Sequence, residues 1–323
     1  MIALGIESTA HTLGIGIVKG GRVLSNIHSV YKPSGEGIVP RKAADHHSSV
    51  FREVLESNLR KAHISMEDVS LIAYSEGPGL GATLKVGLAG AKYLALKYRK
   101  PLIGVNHPYA HIKLAEHLTG LSPPLVLYVS GGNTQILIEE KRGFHVLGET
   151  LDMGVGNLFD SFAREAGLEY AHGSALEKMA ARGKYLPLPY TVKGMNLTFS
   201  GLLTAAAGEL RKGARKADVA YSLMETSFSM LCEATERALF LTRRKSLIAC
   251  GGVAQNRRLQ KMLRAMCKED GVKFGAAPDE FNRDNGAMIA YAGSLLYRRF
   301  GTKPAEKWST DQNYRIDRLR TTE

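Results

Sequence analysis

Two histidines, His107 and His111, stand four residues apart in the segment His107-Pro108-Tyr109-Ala110-His111. A proline at the start of such a segment is typical of a first helical turn, so a helix is predicted from His107 to about Leu118. Residues four apart share a helix face, which lets both imidazoles reach one metal ion. The glutamate of a His-Glu-x-x-His sequence is missing, so a metallopeptidase is disfavoured.

An oxygen ligand for such an ion would have to come from another part of the chain. Asp284 is a candidate, because it stands just before a helix predicted over Asn285–Phe300. An aspartate in that position also commonly caps the helix, so the sequence alone leaves both roles open.

Three predicted strands end in glycine turns, at Ser130-Gly131-Gly132, Gly251-Gly252 and Gly77-Pro78-Gly79. Glycine at the carboxyl end of a strand lets backbone N–H groups approach a phosphate or a ribose, although a tight turn also favours glycine. The third turn lacks the Gly-Lys-Ser/Thr of a P-loop, and no Gly-x-Gly-x-x-Gly follows the first strand. A nucleotide site here would therefore belong to neither of these two common kinds.

Two acids, Asp160 and Glu177, lie in segments predicted to be helical, close to Gly156 and Gly173 respectively. Their carboxylates are able to accept hydrogen bonds from ribose hydroxyls. Acids on helices are more often solvated, so the residues themselves leave this assignment open.

The elements that would position these residues occur as a repeat. Strand Ile2–Ile6, a polar turn and strand Leu13–Val18 are followed in mid-chain by strand Leu125–Val129, a polar turn and strand Gln135–Ile138. Helices alternate with strands between and after the two units. The repeat predicts an α/β enzyme of two lobes, each with a mixed sheet flanked by helices, and a ligand cleft between them.

Composition supports this class. The chain has 323 residues, of which 44% are hydrophobic and 23% charged, and this length favours two lobes over one core. Its three cysteines form no Cys-x-x-Cys, which favours a reducing compartment. The first residues lack a signal-peptide pattern, and no apolar run is long enough to span a membrane.

The charge is uneven along the chain. The net charge is +12, and the segment Leu241–Glu323 contributes 17 basic and 9 acidic residues, a net +8. This excess is compatible with an ordinary solvated surface and also with a docking face for a polyanion such as RNA.

Seven ordered segments of the chain resemble one enzyme family, the tRNA threonylcarbamoyladenosine transferases. This family includes the catalytic subunit of the archaeal and eukaryotic KEOPS complex and bacterial TsaD. The segments are Gly5-Ile6-Glu7-Ser8-Thr9, Gly77-Pro78-Gly79-Leu80, His107-Pro108-x-x-His111, Tyr128-Val129-Ser130-Gly131-Gly132-Asn133-Thr134, Phe199-Ser200-Gly201-Leu202, Gly251-Gly252-Val253-Ala254-x-Asn256 and Asp284-Asn285-Gly286-Ala287-Met288-Ile289.

The resemblance implies an actin/Hsp70/sugar-kinase (ASKHA, ribonuclease H-like) fold. It implies transfer of a threonylcarbamoyl group from threonylcarbamoyl-adenylate to the exocyclic amine of the adenosine beside the anticodon. One divalent metal, iron(II) or zinc, would be bound by His107, His111, Tyr128 and Asp284. The residues that would hold ATP or the adenylate are Tyr128, Val129, Ser130, Gly131, Gly132, Asp160, Gly173, Glu177 and Asn256.

The resemblance also implies partners: tRNA, a small atypical protein kinase/ATPase and a small dimerising subunit of KEOPS, with no membrane. The archaeal branch and a cytoplasmic location are expected. The predicted lobes are residues 1–106 with 291–323, and residues 107–290. Ser174 departs from the family pattern, because a second glycine is expected after Gly173.

Other functions remain alternatives at this stage. A sugar-phosphorylating or ATP-hydrolysing enzyme of the same fold is disfavoured by the histidine pair, since such kinases use magnesium held largely by phosphates and water. A non-catalytic scaffold is the other alternative. No general base is evident in the sequence.

Overall fold

The computed structural model describes residues 1–32, 37–168 and 173–319 of the chain. The chain forms two compact units. The first comprises Met1–Leu118 and the chain from Asp279 as far as it is described, and the second comprises Thr119–Pro278. Among the described residues, no helix has both the length and the apolar character that crossing a membrane requires.

Twelve strands and ten α-helices are found in the described ranges. In chain order they are β1 (Ile2–Glu7), β2 (Thr12–Lys19), β3 (Arg22–Val30), α1 (Pro40–Ala62), β4 (Leu71–Gly77), α2 (Gly81–Lys97), β5 (Leu102–Asn106), α3 (His107–Thr119), β6 (Leu125–Val129), β7 (Thr134–Glu140), β8 (Gly143–Glu149), α4 (Val155–Glu165), α5 (Gly173–Ala180), β9 (Val192–Lys193), β10 (Asn196–Leu197), α6 (Ser200–Arg211), α7 (Lys216–Thr242), β11 (Ser246–Cys250), α8 (Arg257–Glu269), β12 (Lys273–Ala276), α9 (Asp279–Asn282) and α10 (Gly286–Phe300).

Each unit contains its own five-stranded sheet, and the two sheets have the same topology. Strand order is β3-β2-β1-β4-β5 in the first and β8-β7-β6-β11-β12 in the second. In each, the central strand pairs antiparallel with the next strand of its hairpin and parallel with a strand that follows a crossover. The duplication predicted from the repeated hairpins is therefore confirmed, and so is the α/β class.

Helix α10 packs unusually close to the first sheet. Gly5 of β1 and Gly16 of β2 are paired neighbours, and a Cβ on either would overlap the backbone at the start of α10, at Gly286, Ala287 or Ala290. The missing side chains let α10 lie directly on the strands. This contact fixes the position of the loop that precedes α10.

The predicted lobe boundaries differ from the observed units. A boundary after residue 106 separates α3 from the sheet of the first unit, and a boundary after residue 290 divides α10. Both helices belong to the first unit, because α10 packs on β1 and β2 and His107, the first residue of α3, is bonded to Glu7 of β1.

That last segment, residues 302–319, forms what we call the C-terminal strap, and it runs across the ends of β4 and β5. The Tyr74 hydroxyl donates to the Ser309 carbonyl at 2.6 Å, and the Asp311 amide donates to the Glu76 carbonyl at 2.8 Å. Gly77 has no room for a Cβ beside the Asp311 carbonyl. The strap thus closes the edge of the first unit next to α3.

Replacing Gly16 by alanine is expected to destabilise the protein by more than about 3 kcal/mol, because the new methyl group meets main-chain atoms that cannot rotate away. Thermal unfolding should then shift down by about 4 °C or more. Gly208→Ala is the control, since a Cβ there meets nothing within 4 Å and alanine favours the helix interior. Equal unfolding temperatures for the two variants would contradict the close-packing argument.

Candidate metal centre

The two histidines lie at the start of α3, which begins at His107 itself. The Asn106 side chain accepts a hydrogen bond from the Tyr109 amide at 3.1 Å and so caps this helix. The His107 and His111 rings meet edge to face with centroids 4.8 Å apart. The two rings share a helix face as the spacing predicted, and their side chains are only 8% and 0% exposed.

Asp284 joins the pair from the loop before α10. Its Oδ1 lies 3.5 Å from His107 Nε2 and 3.4 Å from His111 Nε2. The capping residue of α10 is Asn285, whose Oδ1 accepts from the Met288 amide at 3.0 Å. The sequence left open whether Asp284 binds a metal or caps the helix. In the structure Asn285 is the cap, and the Asp284 carboxylate faces the imidazoles.

The three side chains fit a divalent first-row metal ion. One ligand atom from each lies within 4.8 Å of the other two. Tetrahedral ligands about 2.1 Å from a metal are about 3.4 Å apart, which matches the two carboxylate–imidazole distances. Two imidazoles and one carboxylate are a donor set that suits both iron(II) and zinc.

Glu7, at the end of β1, supports the first histidine from behind. Its Oε2 lies 2.9 Å from His107 Nδ1, while its Oε1 accepts from the Thr9 amide at 2.7 Å and from the Thr9 hydroxyl at 2.5 Å. A carboxylate on Nδ1 fixes the ring orientation and leaves Nε2 directed at the ligand position. Glu7 is fully buried, so this arrangement is part of the core.

The site has a strong preference for positive charge. Burial favours a neutral imidazole, yet the Glu7 and Asp284 carboxylates outweigh it and raise the pKa of His107 to about 9. Burial and the neighbouring charge on His107 lower the pKa of His111. Burial opposes charge on Asp284, but its contacts with both imidazoles hold its pKa well below the usual range. A cation that displaces the proton would satisfy the same two carboxylates.

Three residues at this site were not identified from the sequence: Glu7, Asn106 and Asn285. Glu7 is an acid at the end of an otherwise apolar strand, which is a detectable signal. Asn106 and Asn285 each immediately precede a helix, where asparagine is a preferred cap. Asn106 also donates through Nδ2 to the Tyr314 carbonyl at 2.8 Å, and this second bond connects α3 to the C-terminal strap.

The predicted nucleotide-binding residues lie in the second unit. Tyr128 and Val129 end β6, and the turn that follows is closed by a bond from the Ser130 amide to the Asn133 carbonyl at 2.8 Å. Helix α4 starts against this turn, since the Asn157 amide donates to the Gly131 carbonyl at 2.9 Å. A Cβ on Gly132 would meet no described atom within 4 Å, so packing does not require glycine there.

Two more of these residues come together beside the turn. The Asp160 carboxylate accepts from the Gly173 amide at 2.9 Å, which joins α4 to the first residue of α5, the helix that also carries Glu177. Asn256 caps α8, because its Oδ1 accepts from the Arg258 and Leu259 amides. The Gly251 turn before it lies against Val129. Asp160 and Asn256 thus each make a contact that stabilises the fold: Asp160 joins two helices, and Asn256 caps a third.

Sequence comparisons identify relatives over the whole chain. A profile of the family described as tRNA N6-adenosine threonylcarbamoyltransferase matches residues 21–291. The protein of that description from Thermococcus sibiricus is 48% identical, covering 100% of both chains. That from Thermococcus kodakarensis is 48% identical over 99% of this chain and 98% of the relative. A probable bifunctional tRNA threonylcarbamoyladenosine biosynthesis protein from Methanothermobacter thermautotrophicus is 46% identical, over 99% of this chain and 60% of the relative.

Similar solved structures have low sequence identity and bear on the fold alone. Thermococcus kodakarensis HypF has a TM-score of 0.63 at 18% identity, over 91% of this chain and 47% of HypF, so the chain spans about half of that protein. Component A of Acidaminococcus fermentans (R)-2-hydroxyglutaryl-CoA dehydratase has a TM-score of 0.56 at 17% identity, over 90% and 96% of the two chains. Together with the duplicated sheet, these likenesses confirm the predicted ASKHA-type fold.

His111→Ala and Asp284→Ala are expected to lose bound metal while keeping the fold, because each removes one of three converging donors. Metal per chain is measured by mass spectrometry after dialysis, and folding by circular dichroism. His145→Ala, at an exposed histidine in another element, is the control and should keep its metal. Full metal content in either test variant would remove that residue from the site.

Glu7→Gln is expected to weaken metal affinity about tenfold or more, since it removes the charge that orients His107 but keeps the side-chain shape. Competition with a chromogenic chelator gives the dissociation constant. Glu53→Gln, on the exposed side of α1, serves as the control. Unchanged affinity in Glu7→Gln would show that the carboxylate does not support the ligand.

Proposed function

Because the chain belongs to the tRNA N6-adenosine threonylcarbamoyltransferase family, we propose that it transfers a threonylcarbamoyl group to the exocyclic amine of an adenosine in tRNA. The observation that carries the proposal is the cluster of His107, His111 and Asp284, supported by Glu7. Two buried imidazoles, one of them oriented by a carboxylate, beside a partly exposed carboxylate are suited to hold an ion for catalysis.

The donor in this proposal is threonylcarbamoyl-adenylate, a mixed anhydride. The adenosine amine forms a C–N bond to the carbamoyl carbon while the bond from that carbon to the phosphate oxygen breaks. AMP leaves with the electron pair, and the amine loses one proton. Because an aromatic amine is a poor nucleophile, placement of the two substrates and stabilisation of the leaving group supply most of the rate enhancement.

The ion is proposed to be iron(II), with zinc as the alternative. His107, His111 and Asp284 would hold it, and Glu7 would keep the His107 ring in position. A bound divalent ion supplies Lewis acidity toward a phosphate or carbonyl oxygen of the donor. The assignment of Tyr128 as a fourth ligand, which the family resemblance implies, stays a prediction.

The adenylate, or ATP, is proposed to bind at the glycine turns of the second unit. Gly131 and Gly132 are exposed at this turn, and their backbone amides would donate to the leaving phosphate. Asp160 and Glu177 would accept from the ribose hydroxyls. The proposed set is completed by Val129, Ser130, Gly173 and Asn256. Asn256 would bind through its side-chain nitrogen, because its side-chain oxygen caps α8.

The proposed partners are tRNA and subunits of a KEOPS-type complex. Support for a second activity working with this one comes from the relative named as bifunctional, of whose length this chain spans 60%. We propose that a small kinase/ATPase and a small dimerising subunit act together with this chain, in the cytoplasm.

A sugar-phosphorylating activity is less well supported. The solved structures that resemble this chain share only its fold, and a fold hosts many reactions. Two buried imidazoles beside a carboxylate differ from the oxygen ligands and water that magnesium prefers in phosphoryl transfer.

The proposal is tested by incorporation of labelled threonine into unmodified tRNA, with bicarbonate, ATP, an adenylate-forming synthase and KEOPS-type partners. Wild type should incorporate threonine. Incorporation by His107→Ala should fall to background, because the variant lacks one of the proposed metal ligands. His145→Ala should match wild type. No incorporation by wild type, with synthase and partners shown to be active, would overturn the proposed function.

A further inference from the structure

A row of exposed cations lies along helix α8 of the second unit. Arg257, Lys261, Arg264 and Lys268 are all exposed, and their spacing of four, three and four residues places them on one face. We call this row the α8 cation stripe. With a rise of 1.5 Å per residue, it extends over about 16 Å.

The other face of α8 anchors the helix in the core. Leu259 and Leu263 are fully buried and Cys267 is 1% exposed, so the helix cannot rotate to withdraw its cations. Asn256 caps its first turn. The Arg264 guanidinium lies over the Phe274 ring, 5.5 Å from the centroid, which holds that side chain against the surface of the unit.

The neighbouring cation, Arg258, has a different role. It makes two hydrogen bonds of 2.6 Å to the Glu225 carboxylate, a bidentate pair that occupies its guanidinium. Arg258 points away from the stripe by its position in the helix, and its charge is already compensated. Arg258 is therefore not counted as part of the stripe.

The stripe has a direction. Glu269 and Asp270 follow it at the carboxyl end of α8. At the other end α8 begins at Asn256, directly after the Gly251–Gly252 turn. The row of cations on this face of α8 therefore ends at Lys268, where the two acids begin.

We propose that the α8 cation stripe is a docking surface for the phosphate backbone of tRNA, with the strand running toward the turn at Gly251 and Gly252. The proposal rests on the proposed function, which supplies RNA as the partner. With a length of about 16 Å, the stripe is long enough to meet more than one phosphate of a strand. Phosphate contacts of this kind position the substrate and carry no sequence information.

The test measures binding of a fluorescent anticodon stem-loop RNA to the full chain between about 50 and 200 mM salt. Lys261→Glu/Arg264→Glu/Lys268→Glu is expected to raise Kd at least tenfold and to reduce the salt slope by about 2 to 3. A second variant, Lys261→Glu/Lys268→Glu, leaves the Phe274 contact intact and should reduce the slope by about 2. Circular dichroism checks that both fold.

The matched control is Lys141→Glu/Arg142→Glu/Lys193→Glu, which makes the same change in charge at exposed positions elsewhere in the second unit. It should change Kd less than about twofold. An unchanged Kd in the stripe variants, an equal loss in the control, or no salt-dependent binding by wild type would each overturn the docking surface.

Threonine incorporation by wild type, measured separately, distinguishes the two proposals. Incorporation together with unaltered RNA binding in the stripe variants leaves the proposed function standing and removes the stripe. Stripe-dependent binding without any incorporation keeps the RNA surface and removes the transferase assignment.

Discussion

Burying a carboxylate costs free energy unless it is paired and hydrogen-bonded. The buried carboxylate of Glu7 uses both of its oxygens in this way. One of its oxygens is bonded to the Thr9 amide and hydroxyl, and the other to His107. These bonds join the end of β1, the turn after it and the first residue of α3. The rest of the candidate site depends on this junction, because the orientation of His107 sets where a shared ion could meet His111 and Asp284. A core made only of apolar side chains would not specify that orientation.

The start of α10, which carries Asp284 toward this junction, is held by direct contact between its main chain and the strands β1 and β2. The paired glycines of β1 and β2 let α10 rest on the sheet without intervening side chains, and Asn285 closes the first turn of α10. Asp284 therefore directly precedes the cap of a closely packed helix, and His107 and His111 lie at the start of α3. Donors placed on element ends have little freedom to relax, which favours a preformed metal site over one assembled when the ion binds.

The sequence predicted what depends on local pattern. Strands with glycine turns, the repeated hairpin and the four-residue histidine spacing led to the duplicated α/β fold and to the pair on α3. The roles of Glu7 and Asn106 depend on partners 100 and 208 residues away, and no local rule brings such partners together. The ion pair of Arg258 is likewise not evident from the local sequence, because its partner Glu225 lies 33 residues earlier. The predicted lobe boundaries at 106 and 290 differ from the observed units, because α10 packs on β1 and β2 and His107 of α3 is bonded to Glu7 of β1.

The side chain of Asn106 makes one bond to the Tyr109 amide in α3 and another to the Tyr314 carbonyl in the C-terminal strap. A single buried amide group therefore couples the two segments mechanically. Displacement of the strap would take away one of the two bonds that fix this side chain, and the first turn of α3 would be less firmly capped. The position of the imidazoles at the start of α3 thus depends in part on the strap, through the side chain of Asn106.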